Sequence, residues 1–273
     1  MPEGPEIRRL ADALEEQVAG RRIDAIYFGI ETLKKWQDRL RGAKITKVDS
    51  HGKAMLTRLD NGLSIYSHNQ LYGRWVFCDT DDYPQTKRQL RMAINCQEKS
   101  ALLYSASEIA VLDEAAISSH PFLSKLGPDV LNETTTVEHI IERLRSKKYN
   151  KRRLGGVLTD QSFVAGLGNY LRCEVLFYAG INPILRVKDL DEKKLYLLAE
   201  SILSLSRQSY QTAGITNQLG DAEKLMAQGA TFEDARFYVF RRQGLPCYRC
   251  GAEIEKKPTA GQPCFTCPNC QLL

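Results

Sequence analysis

A proline with a glutamate beside it, in Met1-Pro2-Glu3-Gly4-Pro5-Glu6, is the first arrangement in this sequence able to do covalent chemistry. Removal of Met1, which a small second residue favours, leaves Pro2 as a free secondary amine. A chain-end amine with a pKa near 8 is about one-tenth neutral at pH 7, whereas a lysine is neutral to well under ~0.1%. Proline's amine is more basic than the generic figure, so its use as a nucleophile also needs a site that lowers it. Such an amine attacks a sugar or carbonyl carbon to give a Schiff base. The same hexapeptide reads equally as a helix start, because proline suits the first turn and acidic side chains suit the positive end of the dipole.

A second chemistry lies at the other end. Cys247-Tyr-Arg-Cys250 and Cys267-Pro-Asn-Cys270 set two C-x2-C knuckles sixteen residues apart. That is the spacing of a zinc ribbon, in which four thiolates close a tetrahedron around one structural Zn2+. The metal folds a segment too short to build its own core. Cys264 lies inside the ribbon loop and is not expected to be a ligand. Cys78, Cys96 and Cys173 sit in apolar surroundings and read as small core residues.

Between these ends, Arg145-Ser-Lys-Lys-Tyr-Asn-Lys-Arg-Arg153 carries six cations in nine residues and no acid. A solvated charged face is the commoner meaning of such a run. Here it leads into a short helical stretch, 154–160, and then into Ala165-Gly-Leu-Gly-Asn169. Two short helices joined by a glycine turn can offer backbone N–H groups to a phosphate, which favours DNA binding.

These residues need a scaffold, and 273 residues allow two domains or one with an appendage. A 43% hydrophobic content with 26% charged residues describes a core-forming chain, not a disordered one. The net charge of +5 is compatible with a polyanion. No apolar run reaches bilayer length and no signal-peptide pattern opens the chain, so a cytoplasmic protein is expected. Apolar residues at Ile7, Leu10, Ala11, Leu14 and Val18 predict a leading helix. Strands are predicted at 22–28, 44–48, 54–59, 63–67, 74–78, 90–96, 101–104 and 109–112, an antiparallel sandwich or barrel. After Gly127-Pro128 the pattern turns helical, with helices predicted at 137–144, 154–160, 169–178 and 190–207. Residues 212–234 read as a long mobile loop, and 237–242 as a strand leading into the cysteine-rich tail.

Taken in order, Pro2-Glu3-Gly4-Pro5-Glu6, Gly52-Lys53, Gly166-Leu-Gly-Asn-Tyr170 and the four-cysteine ribbon resemble the formamidopyrimidine-DNA glycosylase/endonuclease VIII family of base-excision repair enzymes. The resemblance implies a multidomain α+β fold: an N-terminal helix plus antiparallel β-sandwich (1–127), a helix-two-turn-helix domain (128–234) and a zinc finger (235–273). It implies a bifunctional glycosylase and abasic-site lyase, a monomer acting on double-stranded DNA with oxidised bases or abasic sites in the bacterial nucleoid. By the same resemblance Pro2 forms the Schiff base with the sugar, Glu3 moves the protons, and Lys53 holds a phosphate and assists. Glu6 is expected to tune the Pro2 amine, with Glu174 near the site. Asn169 would grip the backbone. Gln70-Leu71-Tyr72, within Ser67-His-Asn-Gln-Leu-Tyr-Gly73, occupy the place of the side chains that fill the hole left by an extruded base. That sequence resembles the endonuclease VIII branch, which removes oxidised pyrimidines; the oxidised-purine branch typically has a Met there.

One position departs from the family. An arginine is usual five residues before the third cysteine, and this chain has Gln262. Glutamine lacks the charge and the bidentate fork that hold a phosphate. Weaker damaged-DNA binding is expected, and a catalytically weak DNA-binding protein is the alternative that this residue favours.

Overall fold

A computed structural model describes residues 2–80 and 82–272. Met1, and with it the expected processing of the chain start, lies outside them. The chain divides into two compact units, Met1–Pro2 with Glu6–Lys125 and Glu3–Pro5 with Leu126–Leu273.

Helix α1 (Gly4–Val18) forms because Ile7, Ala11, Leu14 and Val18 recur on one face, and all four are buried. Gly20, at φ +79°, turns the chain after it. There follow β1 (Ala25–Phe28), α2 (Gln37–Leu40), β2 (Ile45–His51), β3 (Ala54–Leu59), β4 (Ser64–His68), β5 (Arg74–Asp79), β6 (Leu90–Cys96), β7 (Lys99–Tyr104), β8 (Glu108–Leu112) and α3 (Glu114–Ser119). One antiparallel sheet runs β1-β6-β7-β5 and the other β2-β3-β4-β8. Phe28, Met92, Ile94 and Leu103 from the first meet Ile45, Met55, Ile65 and Val111 from the second in one core, which also takes the apolar face of α1. The sandwich is therefore closed by side chains of both sheets, each large one contributing about 1.5–3 kcal/mol on burial.

The second unit holds α4 (Val137–Arg145), α5 (Leu154–Val157), α6 (Asn169–Tyr178), α7 (Glu192–Gln211), α8 (Leu219–Ala227), α9 (Phe232–Ala235) and the hairpin β9 (Glu255–Thr259) with β10 (Gln262–Thr266). Leu144, Leu154, Val157, Leu171, Val175, Leu198 and Ile202 share its main core. A smaller cluster, including Phe177, Tyr238, Val239, Ile254 and Phe265, surrounds the cysteines. Among the described residues no helix is long and apolar enough to cross a membrane.

Two sequence expectations fail here. Residues 212–234 contain helices α8 and α9 instead of one long loop. Ala222 is the one side chain that α8 buries fully, so no apolar stripe existed for periodicity to reveal. Residues 237–242 form an irregular segment with bends at 238–239 and a turn at 240–241, not a strand. The N–H groups of Tyr238, Val239 and Phe240 all donate to the Glu174 carboxylate, at 2.7, 2.9 and 2.9 Å, which leaves no ladder for them to join.

Candidate active site

In the second unit, Glu3 is 3% exposed and lies against the start of α6. Its Oε2 accepts from the N–H of Gly168 at 2.6 Å and of Leu171 at 3.3 Å, and its Oε1 from the N–H of Tyr170 at 2.8 Å. A carboxylate at a helix start satisfies orphaned donors and meets the positive end of the dipole. The glycines explain the rest of the motif. A side chain at Gly168 would place Cβ 2.3 Å from the Glu3 Cδ, and one at Gly4 would place it 2.9 Å from the Gly166 Cα. Gly166 itself sits at φ +103°, and its carbonyl accepts from the Gly4 N–H at 2.8 Å. Within the second unit, Glu3-Gly4 and Gly166-Leu-Gly-Asn-Tyr170 are thus two halves of one local structure. This corrects one expectation: three backbone donors around the glycine turn face Glu3, not a phosphate.

Asn169 opens α6. Its Nδ2 donates to the Pro263 carbonyl at 2.9 Å, and its Oδ1 accepts from Arg172. Gln262 opens β10, opposite Thr259, across the turn Ala260-Gly261. Both turn residues have positive φ, +51° and +77°, as a two-residue type I′ hairpin requires. The Gln262 Oε1 is buried and has no hydrogen-bond partner among the described residues. Glu174 is fully buried, and besides the three N–H groups it accepts from the Thr216 hydroxyl at 2.7 Å. Burial pushes its pKa up against the pull of those donors.

The run 145–153 is partly engaged. Arg145 pairs with Glu192, Lys148 donates to the Ser162 Oγ at 2.9 Å, and Arg152 donates to Asp160 at 2.7 Å. Lys147, Lys151 and Arg153 stay exposed.

The thiols of Cys247, Cys250, Cys267 and Cys270 lie within 4.8 Å of one another. Cys247 and Cys270 are 3.9 Å apart and Cys250 and Cys267 3.3 Å apart. A tetrahedral Zn2+ with bonds of about 2.3 Å requires sulfur separations of about 3.8 Å, so the donor set fits this metal. Cys264 stands apart from the four, buried, with its Sγ 3.8 Å from that of Cys173.

Pro2, Glu6, Lys53 and Gln70-Leu71-Tyr72 belong to the first unit. Glu6 contacts Arg9 at 3.5 Å. Lys53 stands in the two-residue turn between β2 and β3, whose first position, Gly52, has φ +59°. After β4 the chain makes a tight turn in which Gln70 takes a left-handed φ of +49° and the Gly73 N–H donates to the Asn69 carbonyl at 2.8 Å. Leu71 and Tyr72 are 59% and 71% exposed. Gln70 is clamped at both ends of its amide: its Nε2 donates to Glu108 at 2.9 Å, and its Oε1 accepts from Ser107 at 2.8 Å. Glu108 also accepts from the Tyr66 hydroxyl at 3.0 Å and lies 3.7 Å from His68, whose ring packs edge-on against Phe122. Burial holds the His68 pKa below its usual value; Glu108 opposes the shift and Lys53 adds to it. Ser107 and Glu108 escaped sequence reading because they lie 37 and 38 residues from Gln70.

Comparison with known proteins gives a consistent picture. Residues 1–107 match the formamidopyrimidine-DNA glycosylase N-terminal domain and residues 126–219 the H2TH domain of the same glycosylase. Endonuclease 8 of Escherichia coli is 45% identical over 271 residues, covering 99% of this chain and 100% of the relative. Endonuclease 8 of Salmonella typhimurium is 44% identical with the same coverage. The fold is similar to that of the Lactococcus lactis formamidopyrimidine-DNA glycosylase bound to DNA containing an AP site, with a TM-score of 0.81 at 24% identity over 98% of this chain and 99% of that one. It is similar also to MutM in complex with DNA containing carbocyclic 8-oxo-G, with a TM-score of 0.82 at 23% identity over the whole of both chains.

Proposed function

Since the chain belongs to the formamidopyrimidine-DNA glycosylase/endonuclease VIII family, we propose that Pro2 is its nucleophile and oxidised pyrimidines in duplex DNA its substrates. The protein is a DNA glycosylase and AP lyase of base excision repair. In the proposed reaction the Pro2 amine, free once Met1 is removed, attacks C1′ of the damaged nucleoside. The base leaves, Glu3 delivers a proton that opens the sugar, and the C1′–N bond becomes an iminium. Loss of a 2′ proton expels the 3′ phosphate, and a second elimination expels the 5′ phosphate. Lys53 holds the phosphate beside the lesion, and Glu6 tunes the amine. Leu71 and Tyr72, with Gln70, fill the space of the extruded nucleotide and offset part of the few kcal/mol that extrusion costs.

Asn169, Gln262 and the exposed cations of 147–153 are the backbone contacts in this reading, with Glu174 fixing the segment behind α6. One Zn2+ on Cys247, Cys250, Cys267 and Cys270 supplies structure: it folds the ribbon that carries Gln262. Domain boundaries near 127 and 234, a monomeric state and action on the chromosome in the cytoplasm complete the proposal. The observation that carries it is Glu3, fixed by three backbone donors next to the residue whose amine would react. Borohydride trapping on abasic-site DNA tests it. A covalent adduct should form with the wild type and be absent from Pro2→Gly; an adduct that survives this substitution overturns the assignment. Gln262 favours a second reading, a DNA-binding protein with little turnover, which would trap no adduct at all.

A further inference from the structure

Arg172 is a charged residue that the proposed chemistry leaves unused. It lies on α6 and is fully buried. None of its acceptors is a carboxylate. Nη1 donates to the carbonyls of Gly155 at 3.1 Å and Thr259 at 3.0 Å, and Nη2 to the carbonyl of Pro263 at 3.2 Å and to Oδ1 of Asn169. Its Nε has no partner among the described residues. A desolvated cation without a carboxylate partner is costly, and the usual structural solution is to pair it. Here the guanidinium instead ties three elements together: α5 through Gly155, α6 through Asn169, and both strands of the β9–β10 hairpin.

Two further details favour a role in placement. Gly155 approaches the hairpin so closely that a Cβ there would lie 2.4 Å from the Thr259 Cγ2. Asn169 donates to the same Pro263 carbonyl that Arg172 uses. An amide has one acceptor oxygen and two N–H donors. With Oδ1 committed to Arg172 and one Nδ2 hydrogen to Pro263, the amide cannot flip, and its second Nδ2 hydrogen is left for a phosphate oxygen.

We infer that Arg172 is a positioning residue for DNA binding: it fixes the Asn169 amide and joins it to the hairpin that begins with Gln262. The inference rests on the proposed Asn169–phosphate contact. Lysine cannot replace Arg172, because a single ammonium does not span four acceptors set out along a planar fork.

The test is a double-mutant cycle on the zinc-loaded, full-length protein. Affinity is measured for a duplex carrying a tetrahydrofuran abasic analogue, with zinc content and melting temperature followed for every variant. Arg172→Lys should weaken binding about tenfold while the single-turnover cleavage rate at saturating enzyme is kept, and Asn169→Ala should weaken it by a similar factor. The double variant should bind no worse than Asn169→Ala alone, since residues of one network are not additive. Losses that multiply to about a hundredfold, or an Arg172→Lys variant that binds like the wild type, overturn the inference while leaving the Asn169 contact intact. An Asn169→Ala variant that binds like the wild type overturns the contact itself. If Arg172→Lys loses its zinc, the nitrogen-15-labelled wild type decides. The two Asn169 side-chain N–H signals should be distinct, and one should move on binding the abasic duplex. Averaged signals, or signals that DNA leaves unmoved, reject the idea.

Discussion

Gln70, Leu71 and Tyr72 stand on a tight turn whose outer side chains face solvent, whereas Glu3 is buried against α6 by three backbone donors. The turn closes on one backbone bond, Gly73 to Asn69, and is otherwise tied by side chains: Gln70 by Ser107 and Glu108, and Arg88 by donating to the Tyr72 carbonyl at 2.8 Å. Such contacts exchange readily with other polar groups. The Glu3 site is held by main-chain atoms and by glycines that admit no side chain, so it has one geometry. The contrast fits the two tasks proposed for these regions. A group that handles protons has to be placed within hydrogen-bond reach of the reacting atoms. A group that replaces an extruded base needs bulk and an exposed apolar surface, and it can move into place.

The largest effect that would break this contrast is Gly168→Ala. Its methyl group collides with the Glu3 carboxylate, and misplacing the proposed acid–base group costs about 10²–10⁴ in rate. Single-turnover cleavage of an abasic duplex should fall by that range while zinc content is unchanged; a fall below tenfold would mean that the site tolerates movement.

Tyr72→Ala and Leu71→Ala probe the other side. Both side chains are largely exposed, so the melting temperature should stay within about 1 °C. Removal of an oxidised pyrimidine should slow about tenfold, with cleavage of a preformed abasic site slowed less. Equal slowing on both substrates would show that the loop does not act in extrusion.

Gln262→Arg is a smaller test of the platform. It should tighten binding a few-fold and steepen the log–log salt dependence by about one phosphate contact, roughly 0.9 in slope. Unchanged binding at every salt concentration would remove Gln262 from the interface.

The smallest effect concerns pH. Burial keeps His68 below its ordinary pKa of 6.5. The unfolded chain therefore takes up the proton first, and native stability falls as pH drops below about 6.5. His68→Gln should flatten that acid limb of the melting profile; an unchanged limb would place the titration elsewhere.

Much of the scaffold was legible from runs of apolar and β-branched residues set off by turn residues, even where burial is nearly continuous rather than periodic. The prediction for 169–178 coincides with α6, and those for 54–59 and 90–96 with β3 and β6. The failures share a cause. Helix α8 buries one side chain, and residues 238–240 are organised by a carboxylate 64 to 66 positions earlier. No local pattern encodes either. In the candidate site the residue types were visible, but the bonds between them were not. Asn169 reads as a free phosphate ligand until Arg172, three positions on, is seen to hold its oxygen.

The bond between Glu3 and the start of α6 spans 165 to 168 residues. On the ribosome Glu3 is made well before its three donors, which lie at 168, 170 and 171. At about 5–20 residues per second, that delay is on the order of ten to thirty seconds. For this interval a carboxylate destined for burial remains in water, without the three donors that fix it.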